Sequence, residues 1–140
     1  MEITSPLFKN NEYLPASKTN PPLSFANVPP GAKSLALIME DLDAPYGIFD
    51  HWLVFNLPPA TREIGAGALP AQARLGKNTG GKEAYYPPSP PPGKVHRYVF
   101  TLYALDIVLP LKPGADKAEI RRAMSGHELA KASLTGLFKR

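Results

Sequence analysis

Apolar residues in this chain gather in runs of strand length, and proline separates most of the runs. Ser34 to Glu40, SLALIME, is a continuous apolar stretch, which predicts a strand buried on both faces in the middle of a sheet. It ends at Asp41-Leu42-Asp43-Ala44-Pro45, where two carboxylates and a proline stop it. Asp50 to Leu57, DHWLVFNL, predicts a second strand closed by Pro58-Pro59; strict alternation puts His51, Leu53 and Phe55 on one face and Trp52, Val54 and Asn56 on the other. His96 to Asp106, HRYVFTLYALD, is the clearest strand, with His96, Tyr98, Phe100 and Leu102 sharing a face.

Outside these strands the pattern weakens. Residues 1–30 read as an irregular arm with short extended pieces, because Pro6, Pro15, Pro21, Pro22, Pro29 and Pro30 leave no room for a helix. Residues 61–94 are rich in glycine and proline, a length that packs on the body or serves as binding loops. After Pro113-Gly114 the period changes. Asp116-Lys117-Ala118-Glu119 reads as a capping box, with Ile120, Ala123 and Met124 at helical spacing. Ser125-Gly126-His127-Glu128 predicts a second helix reaching about Thr135, with Gly136 as its C-cap.

Composition supports this reading. The 140 residues suffice for one core, so a single domain spanning 1–140 is expected. Proline, at 17 residues, disfavours a helical bundle and favours short strands joined by rigid turns. Zero cysteines exclude disulfides, a thiol nucleophile and thiolate-bound metal. The longest apolar stretch, Leu35 to Met39, is far short of the roughly 20 residues that span a bilayer, and the first residues lack a secretory signal, so a cytoplasmic location is expected. Residues 1–60 carry three Lys/Arg against six Asp/Glu, and residues 61–140 carry thirteen against six. Without a dense basic run interleaved with aromatics, that asymmetry describes a solvated face and not a nucleic-acid surface.

The polar residues that interrupt apolar strands are Asp41, Asp43, His51, His96 and Tyr98, all at strand ends beside proline-rich loops. Burying a carboxylate or an imidazole is costly unless it is hydrogen-bonded, so their convergence would make either a structural network or a site. If His51, His96 and Tyr98 converge, their N–H and O–H groups match the oxygens of phosphate, sulfate or carboxylate, and a carboxylate such as Asp41 would orient one imidazole. Tyr85 to Gly93 would form a stiff wall, or else an exposed polyproline ligand for a partner's groove. A metal centre is disfavoured: His51 and His96 are 45 positions apart and no HxH or HxxxH pair is present. No Gly-x-Ser-x-Gly elbow marks a nucleophile, and no cofactor motif is found. An enzyme using His51 with Asp41 as an acid–base pair on a small phosphoester or carboxylate is the alternative reading.

Four segments in order resemble the phosphatidylethanolamine-binding protein family, also called Raf-kinase-inhibitor-like, in its short bacterial and archaeal form. They are SLALIMEDLDAP at 34–45, HWLVFNLP at 51–58, GKVHRYVFTLYALD at 93–106 with the preceding proline-rich loop, and DKAEIRRAMSGHELAKASLTG at 116–136. The resemblance implies a mainly β fold, an antiparallel sandwich of a large central sheet and a smaller one with C-terminal helices. It also implies an anion pocket for phosphate or a phosphoethanolamine-like headgroup at one sheet edge. Asp41 and Asp43 match the family's paired aspartates, His51 its pocket histidine, His96 and Tyr98 its His-Arg-Tyr motif, and Pro88, Pro90 and Pro91 its proline wall. Leu42 stands where that motif has proline, Pro87 where the wall has glycine, Ser89 in place of a common cysteine and Phe138 in place of a tyrosine. A non-enzymatic binding module, a kinase or protease as regulated partner, and a homodimer are what the resemblance implies further.

Overall fold

The computed structural model describes residues 1–140 and contains nine strands and one helix. In chain order these are β1 (Glu2–Thr4), β2 (Glu12–Tyr13), β3 (Leu23–Ala26), β4 (Ser34–Asp41), β5 (Phe49–Leu57), β6 (Glu63–Ile64), β7 (Arg74–Leu75), β8 (Val95–Leu105), α1 (Lys117–Met124) and β9 (Glu128–Lys139). The large sheet has the order β2-β9-β8-β4-β5-β7 and the small one β1-β3-β6. All pairings are antiparallel except β2 with β9.

Every residue of β4 is buried, as a continuous apolar run requires, because the strand lies between β5 and β8 and both of its faces are covered. Leu35, Leu37 and Met39 join Trp52, Val54, Tyr98, Phe100 and Leu102 in a core shared with Ile3, Leu23, Phe25 and Ile64 of the small sheet. Ala36 and Ile38 face the other way, into a second core with Leu53, Phe55, Tyr103, Leu109, Ile120 and Met124 beneath α1. The helix has the expected capping box: Glu119 N–H donates to Asp116 Oδ1 (2.8 Å), and Asp116 N–H donates to Glu119 Oε1 (3.4 Å).

Strict alternation fails in β5, and the failure positions the site. Met39 is opposite Trp52 but Glu40 is opposite Asp50, so His51 is an extra residue, a β-bulge. The bulge turns His51 away from the Leu53 and Phe55 face and brings its ring to 5.2 Å from that of Tyr98. A second bulge lies between Val54 and Leu57, where Asn56 adopts φ 56° and exchanges hydrogen bonds with the backbone of Leu109 at 2.8 and 3.0 Å. The same register places Glu40 and Asp50 side by side toward the helix, where Lys117 Nζ donates to both (2.7 and 2.5 Å).

The second predicted helix is not formed. Ser125-Gly126-His127 turns the chain, with Gly126 at φ 82°, and Glu128–Lys139 runs as β9 along the whole of β8. Glu, Leu, Ala and Lys favour a helix locally, but that preference is worth less than ~0.7 kcal/mol per residue and gives way to completing the exposed edge of β8. Gly136 is accordingly no helix cap. It lies opposite Tyr98, and a Cβ there would meet Leu14 Cδ2 at 2.6 Å and Phe8 Cε2 at 2.9 Å, so the glycine lets the N-terminal arm cross the sheet. No helix is long and apolar enough to cross a membrane.

A candidate recess between two histidines

The site lies where β4 ends beside the starts of β5 and β8. Asp41, the last residue of β4, is paired with Tyr98 on one side and Phe49 on the other. Its carboxylate is divided between two donors: Asp43 N–H reaches Oδ1 (2.8 Å) and His96 Nδ1–H reaches Oδ2 (2.7 Å). Asp43 points outward and grips Arg97, accepting from its backbone N–H (2.8 Å), Nε (3.0 Å) and Nη2 (2.8 Å). These hydrogen bonds hold the Asp43 carboxyl below the usual carboxylate range, against a smaller opposing effect of burial. Leu42 N–H donates to the Arg97 carbonyl (3.0 Å), so the turn is fastened to β8 without the proline found at this place in the resembled motif.

His51 is held differently. Its Nδ1–H donates to the carbonyl of Tyr86 (2.6 Å), and Tyr86 N–H donates back to the His51 carbonyl (2.9 Å). Burial pushes the His51 pKa down, opposed in part by the Tyr86 carbonyl and the charges of Asp41 and Asp50, so the ring is neutral near pH 7. Because a carbonyl can only accept, the neutral ring carries its proton on Nδ1 and offers a lone pair at Nε2. The donor character anticipated for this histidine thus becomes acceptor character at neutral pH.

Together these elements enclose a recess of about 150 Å³ lined by Asp41, Ala44, Pro45, Phe49, His51, Tyr86, Ser89, Pro91 and His96. That is about five times a water molecule's share of the liquid, room for a guest of a few heavy atoms. Tyr98 lies beneath it, fully buried, with its ring 6.4 Å from that of His96. Its hydroxyl has no hydrogen-bond partner; the Asp41 carboxylate and the Ser89 backbone are near but outside bonding geometry. Burial, reinforced by Asp41, raises the Tyr98 pKa and keeps the phenol protonated.

Of the residues singled out in the sequence, Asp41, His51, His96 and Pro91 line the recess, while Tyr98 is buried beside His51 and does not line it. Asp43 braces the turn from outside. Pro90 is buried behind the wall and Pro88 is half-buried, neither lining the space. Asp41 pairs with His96 and not with His51 as the acid–base alternative required. The Tyr86 to Pro92 segment is joined to His51 through two hydrogen bonds and is a wall of the recess more than a free ligand strand. His127 bonds Asp106 (2.8 Å) at the other end of β8. Alternation concealed Phe49, whose ring lies 4.8 Å from that of His51 and 5.0 Å from that of Tyr86, and it carries no trace of the Tyr86 carbonyl.

Comparison with known proteins bears on the family and the fold. Residues 4–139 match the family model described as phosphatidylethanolamine-binding protein. A UPF0098 protein of Methanothermobacter thermautotrophicus is 44% identical over 151 residues, covering 100% of this chain and 99% of the relative. Among solved structures, the phosphatidylethanolamine-binding protein homologue CT736 of Chlamydia trachomatis superposes with a TM-score of 0.94 at 40% identity, covering 99% of this chain and 97% of its own. YbcL of E. coli, described as a new member of the mammalian PEBP family, gives 0.91 at 28% identity, with 99% and 98% covered.

Proposed function

The chain belongs to the phosphatidylethanolamine-binding protein family, and from that premise we propose that it is a non-enzymatic binding module whose recess takes phosphate or a small phosphorylated headgroup. The observation that carries this reading is the meeting of two oriented imidazoles in a space of about 150 Å³, with the unpartnered hydroxyl of Tyr98 buried beside them. A buried polar group without a partner costs ~1–3 kcal/mol, and a guest oxygen that reaches it would remove that cost. A phosphoryl group fits the volume; acyl chains would need an extended apolar groove well beyond about 150 Å³.

A binding role is favoured over catalysis by the chemistry at the wall. The aliphatic hydroxyl in the recess, that of Ser89, is contacted by Arg140 Nη1 (3.3 Å) and by neither histidine, so it has no base positioned to activate it. Regulation of a kinase or protease partner in the cytoplasm is the extension that family membership suggests. Titration with inorganic phosphate, followed by NMR, tests the core of the reading. The expected result is shifts at His51, His96 and Tyr98 that sulfate competes with at higher concentration; unchanged spectra at tens of millimolar phosphate would end it.

A further inference from the structure

No lysine or arginine lines the recess, and its one formal charge is the carboxylate of Asp41. Arg97 is gripped by Asp43, and Arg140 stands at the mouth, bonded to the Ser89 hydroxyl. A phosphate dianion would therefore meet a carboxylate with no lysine or arginine among the residues that line the space. His51 does not reverse this. Its Nδ1 must hold a proton for the Tyr86 carbonyl, so the neutral ring turns a lone pair, Nε2, toward an unpartnered position.

Resting on the anion-site reading above, the geometry points to a guest that brings its own proton: the recess selects the singly charged form of phosphate (H2PO4−) and of phosphomonoesters (ROPO3H−), whose P–O–H donates to Nε2 of His51. A phosphodiester, including the phosphate of an intact phospholipid, has no such hydrogen and is discriminated against. The groups facing His51 are Asp41 from β4, Asp50 from β5, His96 and Tyr98 from β8, and the Tyr86 backbone from the loop. The two aspartates favour protonating the ring, His96 opposes it, and burial opposes it most, which leaves the proton with the guest.

The experiment compares four probes on the intact chain by NMR and calorimetry: inorganic phosphate, sulfate, methyl phosphate and dimethyl phosphate. Phosphate and sulfate share size and shape but differ in the proton and in charge, whereas methyl phosphate in its monoprotonated form and dimethyl phosphate carry the same single charge and differ in the proton. At pH 6.5 sulfate is expected to bind at least tenfold more weakly than phosphate, and dimethyl phosphate at least tenfold more weakly than methyl phosphate. Since a phosphomonoester loses its second proton near pH ~6, methyl phosphate affinity is expected to fall about tenfold between pH 7 and pH 8. In His51→Gln, whose amide can turn its NH2 toward the guest, the gap between phosphate and sulfate is expected to close to within about threefold. Equal binding of phosphate and sulfate, or of the two esters, overturns the proton requirement while leaving the anion site standing. A full-sized gap in His51→Gln overturns the assignment to His51. Failure of all four probes to shift His51 or His96 removes the anion site and this inference together.

Discussion

Asp41 and His96 are 55 positions apart in the chain, yet the carboxylate and the imidazole meet at 2.7 Å with both side chains nearly buried. The β4–β8 register brings this about. Asp41 is the Cα partner of Tyr98, and His96, two residues earlier on the same face of β8, leans back onto the end of β4. One bond thereby fixes the tautomer of the ring and uses one Asp41 oxygen, while Asp43 N–H uses the other. Asp41→Asn cannot accept with the same strength, and charge-assisted bonds of this kind contribute ~1.5–3 kcal/mol. The nitrogen-15 shifts of His96 are expected to report a mixture of tautomers. Unchanged imidazole shifts would show that Asp41 does not orient the ring.

Tyr98→Phe separates stability from binding. The variant deletes a buried hydroxyl that has no partner within the chain, so the folded state is expected to gain about 1 kcal/mol in chemical denaturation. Phosphate affinity should move in the opposite direction and weaken. If the variant loses stability, the hydroxyl is satisfied in the free protein and its unpartnered state has been misassigned.

His51 gives the fold a pH dependence of defined sign. Its folded-state pKa lies below the ordinary value of 6.5, so the unfolded chain binds the proton more tightly. The stability contributed by the neutral ring is therefore fully present above pH 6.5 and is lost as pH falls below it. Thermal melting between pH 7.5 and pH 5 should show a decline in the parent that is shallower in His51→Gln. Parallel curves for the two proteins would argue that His51 titrates as it does in the unfolded chain.

Gly136→Ala tests the arm. The added methyl would lie 2.6 Å from Leu14 and 2.9 Å from Phe8, both buried against the sheet. Overpacking of this kind costs ~1–3 kcal/mol. The loss should appear as faster amide exchange at Asn11 and Leu14, whose N–H groups donate to Thr135 and Leu137 of β9. Wild-type exchange there would mean that the arm is held by other contacts.

Lys117→Met tests the charge cluster on the opposite face of the sheet. Burial alone would lower the pKa of Lys117, but hydrogen bonds from Asp50 and Glu40 outweigh it and raise the value. Removing the cation leaves two largely buried carboxylates facing each other, with only Arg121 near Glu40 (3.4 Å). A loss of about 3 kcal/mol is expected, the lower end for a broken buried pair because the cluster is partly wetted. Denaturation at pH 7 that matches the parent would show that water already screens these charges.

The legible parts of this molecule are those in which local pattern and tertiary demand coincide. SLALIME reads as a central strand because β4 is covered on both faces, and Asp116 to Glu119 reads as a helix start because a capping box is closed within four residues. The polar interruptions at Asp41, His51, His96 and Tyr98 are informative because burying such groups requires partners. What escaped depends on distant chain. Glu128 to Thr135 has the composition of a helix and becomes a strand only because β8 needs an edge partner. The direction of His51 depends on an extra residue in β5 relative to β4, which no alternation in one segment reveals. Tyr86 contributes through a carbonyl oxygen, a group that every residue carries and that sequence therefore does not distinguish.

The position of β9 between β2 and β8 has a kinetic consequence. The strand nearest the C-terminus is an interior member of the large sheet, and Thr135 N–H donates to the side chain of Asn10 across 125 positions of chain. Contacts of such high sequence separation incur loop-closure entropy before they return any stabilisation, which makes for slow folding. Until Glu128–Lys139 pairs with it, the edge of β8, with its aromatic face, stays open, so folding intermediates that lack this pairing are the aggregation-prone ones.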